Sequence, residues 1–130
     1  MLQFLISIPL SLTSLVLNIL LILIFSVWVG RCRKKYHSPP PALGDNIKLQ
    51  IANRIHYNSL ELFILYFPLF AIFVAFYGDF YGAIVGFLFL IARIIFALGY
   101  WKDPPYRSFG SISSFLIIII LIVFDLIVII

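Results

Sequence analysis

The chain has little charge and almost no cysteine. Only 11% of its 130 residues are charged and 64% are hydrophobic, whereas soluble globular domains average about 25% charged residues. This shortage of charge excludes an ordinary water-soluble domain, and the high hydrophobicity excludes an intrinsically disordered chain. The single cysteine, Cys32, excludes a disulfide framework and a multi-cysteine metal site, so we expect no metal. The composition is that of a small integral membrane protein with one domain.

Long apolar stretches dominate the sequence. A transmembrane helix needs about 20 mostly apolar residues, and the chain contains four stretches of this kind. We predict spans at about residues 2–29, 48–76, 80–98 and 111–130, within one membrane domain that covers residues 1–130. The first stretch lacks a preceding basic residue and a small-residue cleavage site, so we interpret it as a retained helix rather than a signal peptide. The predicted fold is all-α, an integral membrane four-helix bundle with up-down-up-down topology.

The charges predict the orientation of this bundle. All nine lysines and arginines fall in or near the connections that follow the first and third spans, while the opposite side holds only Asp79 and Asp125. The positive-inside rule places both connections in the cytoplasm and both termini on the non-cytoplasmic side. Topology and contact with lipid headgroups account for the basic residues, so we expect the lipid bilayer, and not nucleic acid, as a partner.

Glycine and proline mark the connections between the spans. Tyr77-Gly78-Asp79 is a short turn, which predicts that the second and third spans form an antiparallel hairpin. Asp103-Pro104-Pro105 predicts the end of the third span. Gly78, Gly82 and Gly86 are spaced four apart, and this spacing predicts a close contact between helices, within one chain or between chains.

Polar residues inside the second span form one stripe. A charged side chain within a bilayer costs at least about 2.5 kcal/mol on insertion scales, so it is a candidate for function by default. At about 100° per residue, Arg54, Asn58 and Glu61 lie within one narrow sector of the helix. The stripe therefore predicts a face that is turned to the interior of a bundle or to a wet cavity rather than to lipid.

Three further residues fall at a similar depth. Arg93 and Tyr100 are seven residues apart and share one face of the third span, and Arg107 begins the fourth span. Because arginine stays protonated in proteins, we predict a positive cavity that suits a small acidic peptide, with Glu61 as partner for an amine. Alternatively, Arg54 and Glu61 only pair with each other, Arg93 extends to the membrane surface, or the residues form a transport pathway.

The second span also contains a motif that resembles one from a known family. It reads Arg54-Ile-His-Tyr-Asn58-Ser-Leu-Glu61, followed by Tyr66-Phe-Pro68-Leu-Phe70, and is similar to R-x-x-x-N-x-x-E…F-P-L-F of the MAPEG family, the membrane-associated proteins of eicosanoid and glutathione metabolism. The similarity continues through Ala92-Arg93, Gly99-Tyr100 and Arg107-Ser108, across nearly the whole chain. It implies a four-helix bundle that forms a homotrimer and binds glutathione between subunits at the cytoplasmic-facing ends of the helices.

The resemblance implies roles for individual residues. Arg54, Asn58 and Glu61 would hold the backbone and the charged ends of glutathione. Tyr100 would contact the tripeptide, and Arg107 would stand beside the sulfur as the catalytic residue. A cation next to a thiol favours the thiolate, which is the reactive form. The implied nucleophile comes with glutathione itself, so no catalytic serine or cysteine is required of the chain.

Two more arginines are candidates, and three positions differ from part of the family. We expect Arg93 to bind glutathione in the same cavity, with Arg33, at the end of the first helix of the next subunit, as a secondary candidate.

The leukotriene-synthase branch has tyrosines at the positions of Leu62 and Phe96, and glutamine at that of His56. The loss of two phenols argues against a leukotriene-forming activity, and the sequence is more similar to the bacterial branch of the family.

These expectations give two hypotheses for function. In the first, the chain is a membrane-bound glutathione-dependent transferase or peroxidase, with glutathione as co-substrate and a lipophilic small molecule as the electrophile. In the second, the same bundle is a non-catalytic membrane scaffold or interaction protein, and the polar stripe only fixes its assembly. A bacterial inner membrane is the favoured location, with the endoplasmic reticulum as the alternative.

Overall fold

The computed structural model describes Gln3 and residues 7–42 and 44–130, and within them every long element is helical. The helices are α1 (Pro9–Lys35), α2 (Ile47–Lys102) and α3 (Arg107–Ile129), with a 3₁₀ turn at Pro104–Tyr106. All three are long and apolar enough to cross a membrane. The all-α class is thus confirmed for this part of the chain. Residues 2 and 4–6, at the start of the first predicted span, and residue 43 in the following loop lie outside the described residues.

Gly78 divides α2 into two halves. Its φ of 82° and ψ of −178° interrupt the helical backbone, and glycine adopts such a positive φ without the steric cost that other residues meet. We call the halves α2N (residues 47–77) and α2C (residues 79–102). They fold back on each other, since the rings of Tyr66 and Phe89 stack with their centroids 4.0 Å apart. The predicted antiparallel hairpin is therefore confirmed.

Small residues bring α1 close to α2C near the hairpin turn. A side chain at Gly82 would collide with Ser11, and a Cβ atom at Gly86 would lie 2.7 Å from Ser14 Cβ. Asn18 Nδ2 also donates a hydrogen bond to Gly86 O at 3.1 Å. The close helix contact predicted from the glycine spacing is confirmed for these two glycines, and it forms within one chain.

The N-terminus of α1 is capped by a residue from α2. The backbone N–H groups of Leu10 and Ser11 donate to the Asp79 carboxylate at 3.2 and 2.7 Å, and Ser11 Oγ donates to Asp79 O at 3.0 Å. A carboxylate in this position satisfies free N–H groups and complements the helix dipole. Asp79, which served only as a topology marker in the sequence, thus joins α1 to the hairpin turn.

The last helix, α3, packs against the hairpin. A Cβ atom at Gly110 would lie 2.8 Å from Ala92 O, so the backbones of α3 and α2C approach closely there. Tyr77 in α2N donates from its hydroxyl to Phe124 O at 3.1 Å. Because α1 and α3 share no close backbone contact among the described residues, the hairpin lies between them.

Polar and aromatic contacts join the helices at the end of the molecule opposite Gly78. We call this end the Arg107 end. Asn46 Oδ1 caps α2 by accepting from the N–H groups of Lys48 and Leu49 at 2.9 and 3.2 Å. Lys48 Nζ crosses to the other half of the hairpin and donates to Trp101 O at 2.6 Å. The ring of Trp101 packs against that of Trp28 with centroids 4.4 Å apart. These contacts tie α1, α2N and α2C together at one level.

Helix α1 extends past its predicted end. The sequence placed the end of the first span at about residue 29, but the helix continues to Lys35. Basic side chains therefore occupy its last turn, where cations interact favourably with the helix dipole. The four-helix topology and the sidedness of the termini remain predictions.

Candidate functional site

A cavity of about 280 Å³ lies near the Arg107 end, between the two halves of the hairpin and the first turns of α3. Four of the predicted site residues lie in its walls: Arg54, Asn58, Tyr100 and Arg107. The hairpin brings the polar stripe of α2N next to the end of α2C, and the turn after Lys102 returns the chain to the same place. Residues that are far apart in sequence thus converge on one polar cavity.

The turn between α2C and α3 positions Arg107. A Cβ atom at Gly99 would lie 2.5 Å from Tyr106 O, so only glycine lets the turn pack directly on the helix. Arg107 Nη1 then donates to the Tyr100 hydroxyl at 3.0 Å, and its guanidinium lies 5.0 Å from the centre of the Tyr100 ring. Since Arg107 is otherwise exposed, its remaining N–H donors are available to a ligand.

Arg93 lies behind the cavity rather than in its walls. Its side chain is only 2% exposed, which excludes the alternative that it extends to the membrane surface. Arg93 Nη2 donates to Asn58 Oδ1 at 3.0 Å and to Ser59 Oγ at 2.9 Å, and Nη1 donates to Ser114 Oγ at 3.4 Å. This network joins α2N, α2C and α3. Within one chain, Arg93 therefore reaches the cavity through Asn58.

The buried network has a consequence for the cavity. Because Asn58 Oδ1 accepts from Arg93, the amide N–H groups of Asn58 remain available as donors. Among the described residues the one ion pair is that of Arg54 with Glu61, so no acidic side chain there neutralises Arg93. A buried cation without a counter-ion stabilises an anion placed nearby, since the dielectric response of the interior is weak.

Arg54 and Glu61 form only a loose pair. Arg54 Nη1 and Glu61 Oε1 are 3.9 Å apart, and the two side chains are 57% and 58% exposed. Exposed pairs of this kind contribute about 0–1 kcal/mol, so the pair does not prevent Arg54 from binding a ligand. Glu61 itself lies beside the cavity and not in its walls. This geometry argues against the alternative in which Arg54 and Glu61 only pair with each other.

Arg33 lies away from this cavity within one chain. Its Nη1 donates to Ala42 O at 2.5 Å and to Ser38 O at 3.5 Å, so it holds the loop that follows α1. Its role at the site of a neighbouring subunit remains a prediction.

The apolar side of the cavity was not among the predicted site residues. Phe96, Ser111 and Phe115 complete its walls, and Phe96 also lies against the Arg93 guanidinium at 4.1 Å. Ser111 follows Arg107 by one helical turn and Phe96 precedes Tyr100 by one, so helical spacing was the signal that could have found them. The leukotriene-synthase branch has tyrosines at the positions of Leu62 and Phe96. Here Leu62 is buried in the core and Phe96 lies in the cavity wall, so both positions are apolar.

Comparison with known proteins identifies the family. The sequence profile of the MAPEG family matches residues 11–127, which is most of the chain. The chain belongs to the MAPEG family. A relative from Synechocystis sp., named "Uncharacterized protein sll1147", is 32% identical over 115 residues, which cover 85% of this chain and 82% of that protein. The predicted family is confirmed, and this relative fits a bacterial-type MAPEG member.

Family membership and fold together establish the general class. MAPEG proteins include membrane glutathione transferases and related enzymes, and they are generally trimeric and bind glutathione. With three apolar helices of membrane-spanning length, this MAPEG chain is an integral membrane protein.

Proposed function

We propose that this MAPEG protein is a membrane-bound glutathione-dependent transferase or peroxidase that acts on lipophilic electrophiles. The proposal is supported above all by one observation, that Arg54, Asn58, Tyr100 and Arg107 all lie in the walls of the same cavity. Two guanidinium groups, an amide and a phenol form a set of donors that suits a peptide with more carboxylates than amines. Glutathione has two carboxylates and one amine, and family membership makes it the first choice.

The residues around the cavity fit the groups of glutathione. The exposed guanidinium of Arg54 can bind a carboxylate through two parallel hydrogen bonds. Glu61, 3.9 Å from Arg54, is placed to accept from the ammonium group. The free N–H groups of Asn58 can donate to a peptide carbonyl, while Arg93 holds the other side of the amide.

Arg107 is the proposed catalytic residue. Glutathione supplies the sulfur nucleophile, and the task of the chain is to favour the thiolate and to orient it. A guanidinium beside the sulfur lowers the pKa of the thiol, and a tenfold to hundredfold gain in thiolate corresponds to about 1.4–2.8 kcal/mol. The Tyr100 hydroxyl accepts from Arg107, which leaves its own proton free to donate. The apolar wall at Phe96 and Phe115 suits the electrophile, which would enter from the bilayer.

We also propose the assembly that this function requires. The helices α1, α2N, α2C and α3 would form an up-down-up-down bundle in a bacterial inner membrane, with both termini outside. Support comes from the turn at Gly78 and from the basic residues, which gather at the Arg107 end. The exposure of Arg54 and Glu61 in one chain favours a homotrimer in which the site is completed between copies, where Arg33 of the next copy would contribute.

A conjugation assay tests the activity. We expect the purified protein to join glutathione to a generic aryl halide, and Arg107→Ala to reduce kcat by about tenfold to hundredfold, because the thiolate loses its cation. Arg107→Lys is the matched variant and should keep part of the rate. An unchanged kcat in Arg107→Ala would contradict the assignment.

Calorimetry tests the binding step separately. Wild-type protein in detergent should bind glutathione saturably, and Arg54→Ala should lose most of this binding. Arg31→Ala removes the same charge outside the cavity and should leave the affinity nearly unchanged. No heat with wild type at millimolar glutathione would refute the proposal.

The scaffold hypothesis has one observation in its favour. The Arg93 network joins three helical stretches, so part of the polar stripe is structural. If the polar stripe served only to fix the assembly, Arg54→Ala would break the oligomer in native mass spectrometry. If the enzyme proposal is right, Arg54→Ala should keep the oligomer and lose glutathione.

A further inference from the structure

A second cavity, with basic residues in its walls, lies at the end of α1, and within one chain it is separate from the cavity at Arg54. Its volume is about 460 Å³. The walls are formed by Arg33, Lys34, His37, Ser38, Pro39 and Pro40. It shares no wall residue with the cavity at Arg54, and the proposed reaction makes no use of Lys34 or His37.

The cavity is held in shape by its own loop. The backbone turns back at His37, where φ is 51°, and Ser38 N donates to Arg33 O at 3.1 Å. Arg33 Nη1 and Ser38 Oγ both donate to Ala42 O, the second at 3.3 Å. The loop is therefore fixed to the end of the helix, and the cavity exists before any ligand arrives. A preformed site avoids the cost of ordering its walls on binding.

The basic side chains of this region have no counter-ion in the described part of the chain. Four of them lie in the last turns of α1: Arg31, Arg33, Lys34 and Lys35. The ion pair found among residues 7–42 and 44–130 joins Arg54 to Glu61 and involves none of these four. A cavity with uncompensated positive charge attracts an anion.

The cavity lies at the depth of the lipid headgroups. Trp28 packs against Trp101, and tryptophans are enriched at the boundary between membrane and water. At 1.5 Å per residue, Lys34 lies about 9 Å beyond Trp28 along the helix axis. Since the headgroup layer is roughly 5–8 Å thick on each side and lysine side chains are long, the ammonium of Lys34 reaches the level of the phosphates.

An apolar groove of about 470 Å³ runs along α1 toward this cavity. Its walls include Leu20, Leu23, Ile24, Val27, Trp28 and Arg31. Positions 20, 24, 27, 31 and 34 follow the spacing of one helix face, so the groove leads from the membrane interior to Lys34. An apolar groove that ends in a basic cavity matches the shape of a lipid with an anionic headgroup, and not that of a free phosphate ion.

We propose that the cavity binds the phosphodiester of an anionic membrane lipid, with one acyl chain along the α1 groove. Lys34 and His37 contact the phosphate, and Arg33 holds the loop in place. Phosphodiester and free phosphate share the same chemistry, and the groove favours the lipid as its source. The proposal does not depend on the glutathione-dependent activity.

Quenching of tryptophan fluorescence by brominated lipids tests it. The chain has two tryptophans, and both lie at the groove or against its wall, so they report an acyl chain that occupies it. The full-length chain is reconstituted in phosphatidylcholine that contains either brominated phosphatidylglycerol or brominated phosphatidylcholine. We expect stronger quenching by the phosphatidylglycerol, and a preference that Lys34→Gln reduces about fivefold, the ratio that corresponds to about 1 kcal/mol per basic side chain.

Lys35→Gln is the matched control, because it removes the same charge from the adjacent residue, which does not line the cavity. It should leave the preference nearly unchanged. Equal losses in Lys34→Gln and Lys35→Gln would reduce the effect to a general attraction of the basic segment and overturn the site. Equal quenching by the two brominated lipids would also overturn the site. Displacement of phosphatidylglycerol by inorganic phosphate, or by glutathione, would assign the cavity to a soluble anion and overturn the lipid proposal.

Discussion

The two ends of the molecule use their polar groups differently. Near Gly78, the Asp79 carboxylate caps the N-terminus of α1, and the helices meet at Gly82 and Gly86 with no room for a side chain. Near Arg107, guanidinium groups outnumber carboxylates, and Arg54 and Arg107 keep free donors beside a cavity.

In a membrane protein, the groups that stabilise the fold can be told apart from those that are free to bind a ligand. Lipid tails are as apolar as the side chains, so apolar burial does not hold helices together in a bilayer, and close packing and satisfied hydrogen bonds must do so. The Asp79 cap and the contacts at Gly82 and Gly86 meet this requirement. The free donors of Arg54 and Arg107 make no such contact between helices, and the proposed glutathione site would use them. Three substitutions, in order of expected effect, test this division.

The largest effect is expected from Gly86→Val at the packed end. A Cβ atom there would lie 2.7 Å from Ser14 Cβ, so α1 and α2C must separate, and we expect the free energy of unfolding to fall by about 3 kcal/mol. Unfolding in detergent followed by circular dichroism measures it. Gly30→Val is the matched control, because nothing lies within 4 Å of a Cβ there. Equal losses in the two variants would show that close packing is not what stabilises this end.

The next effect is expected from Arg93→Lys, behind the cavity. Lysine cannot reach Asn58, Ser59 and Ser114 together, and the loss of hydrogen bonds to a charged group should lower the free energy of unfolding by about 2 kcal/mol. Arg107→Lys, at an exposed position with a single hydrogen bond to Tyr100, should change it by less than about 0.5 kcal/mol. If both variants unfold like wild type, the Arg93 network does not stabilise the Arg107 end.

The smallest effect is expected at the cap of α2. Asn46→Ala removes the acceptor for the N–H groups of Lys48 and Leu49 and should cost about 1 kcal/mol of unfolding free energy. Asn46→Asp keeps an oxygen acceptor at a helix N-terminus and should cost almost nothing. Thermal unfolding of the two variants side by side measures the difference. A loss in Asn46→Asp as large as that in Asn46→Ala would contradict a capping role.

Much of the fold followed from the sequence, because its signals are local. Runs of apolar residues predicted the helices, Gly78 predicted the hairpin turn, and the spacing of Arg54 and Asn58 predicted a shared face. The MAPEG motif added the family. Each of these signals lies within one helix or one turn, where backbone geometry relates sequence spacing directly to position in space.

The remainder depends on which faces of separate helices meet, and spacing does not contain that information. Arg93 shares a helix face with Tyr100 in sequence, yet its guanidinium turns to Ser59 and Ser114 instead of the cavity. Asp79 caps a helix that is 68 residues away along the chain. Arg33 donates a hydrogen bond to Ala42 O. The path of the loop that makes this contact possible does not follow from helix spacing.

The position of the hairpin between α1 and α3 has a mechanical consequence. Because the backbones of α1 and α3 do not approach each other closely among the described residues, we expect a displacement of α3 to reach α1 mainly through the hairpin. The Lys48 bond to Trp101 O braces that hairpin at its open end. The hairpin thus separates the groove along α1 from the cavity beside α3 within one chain, and we expect each of them to be filled without the other.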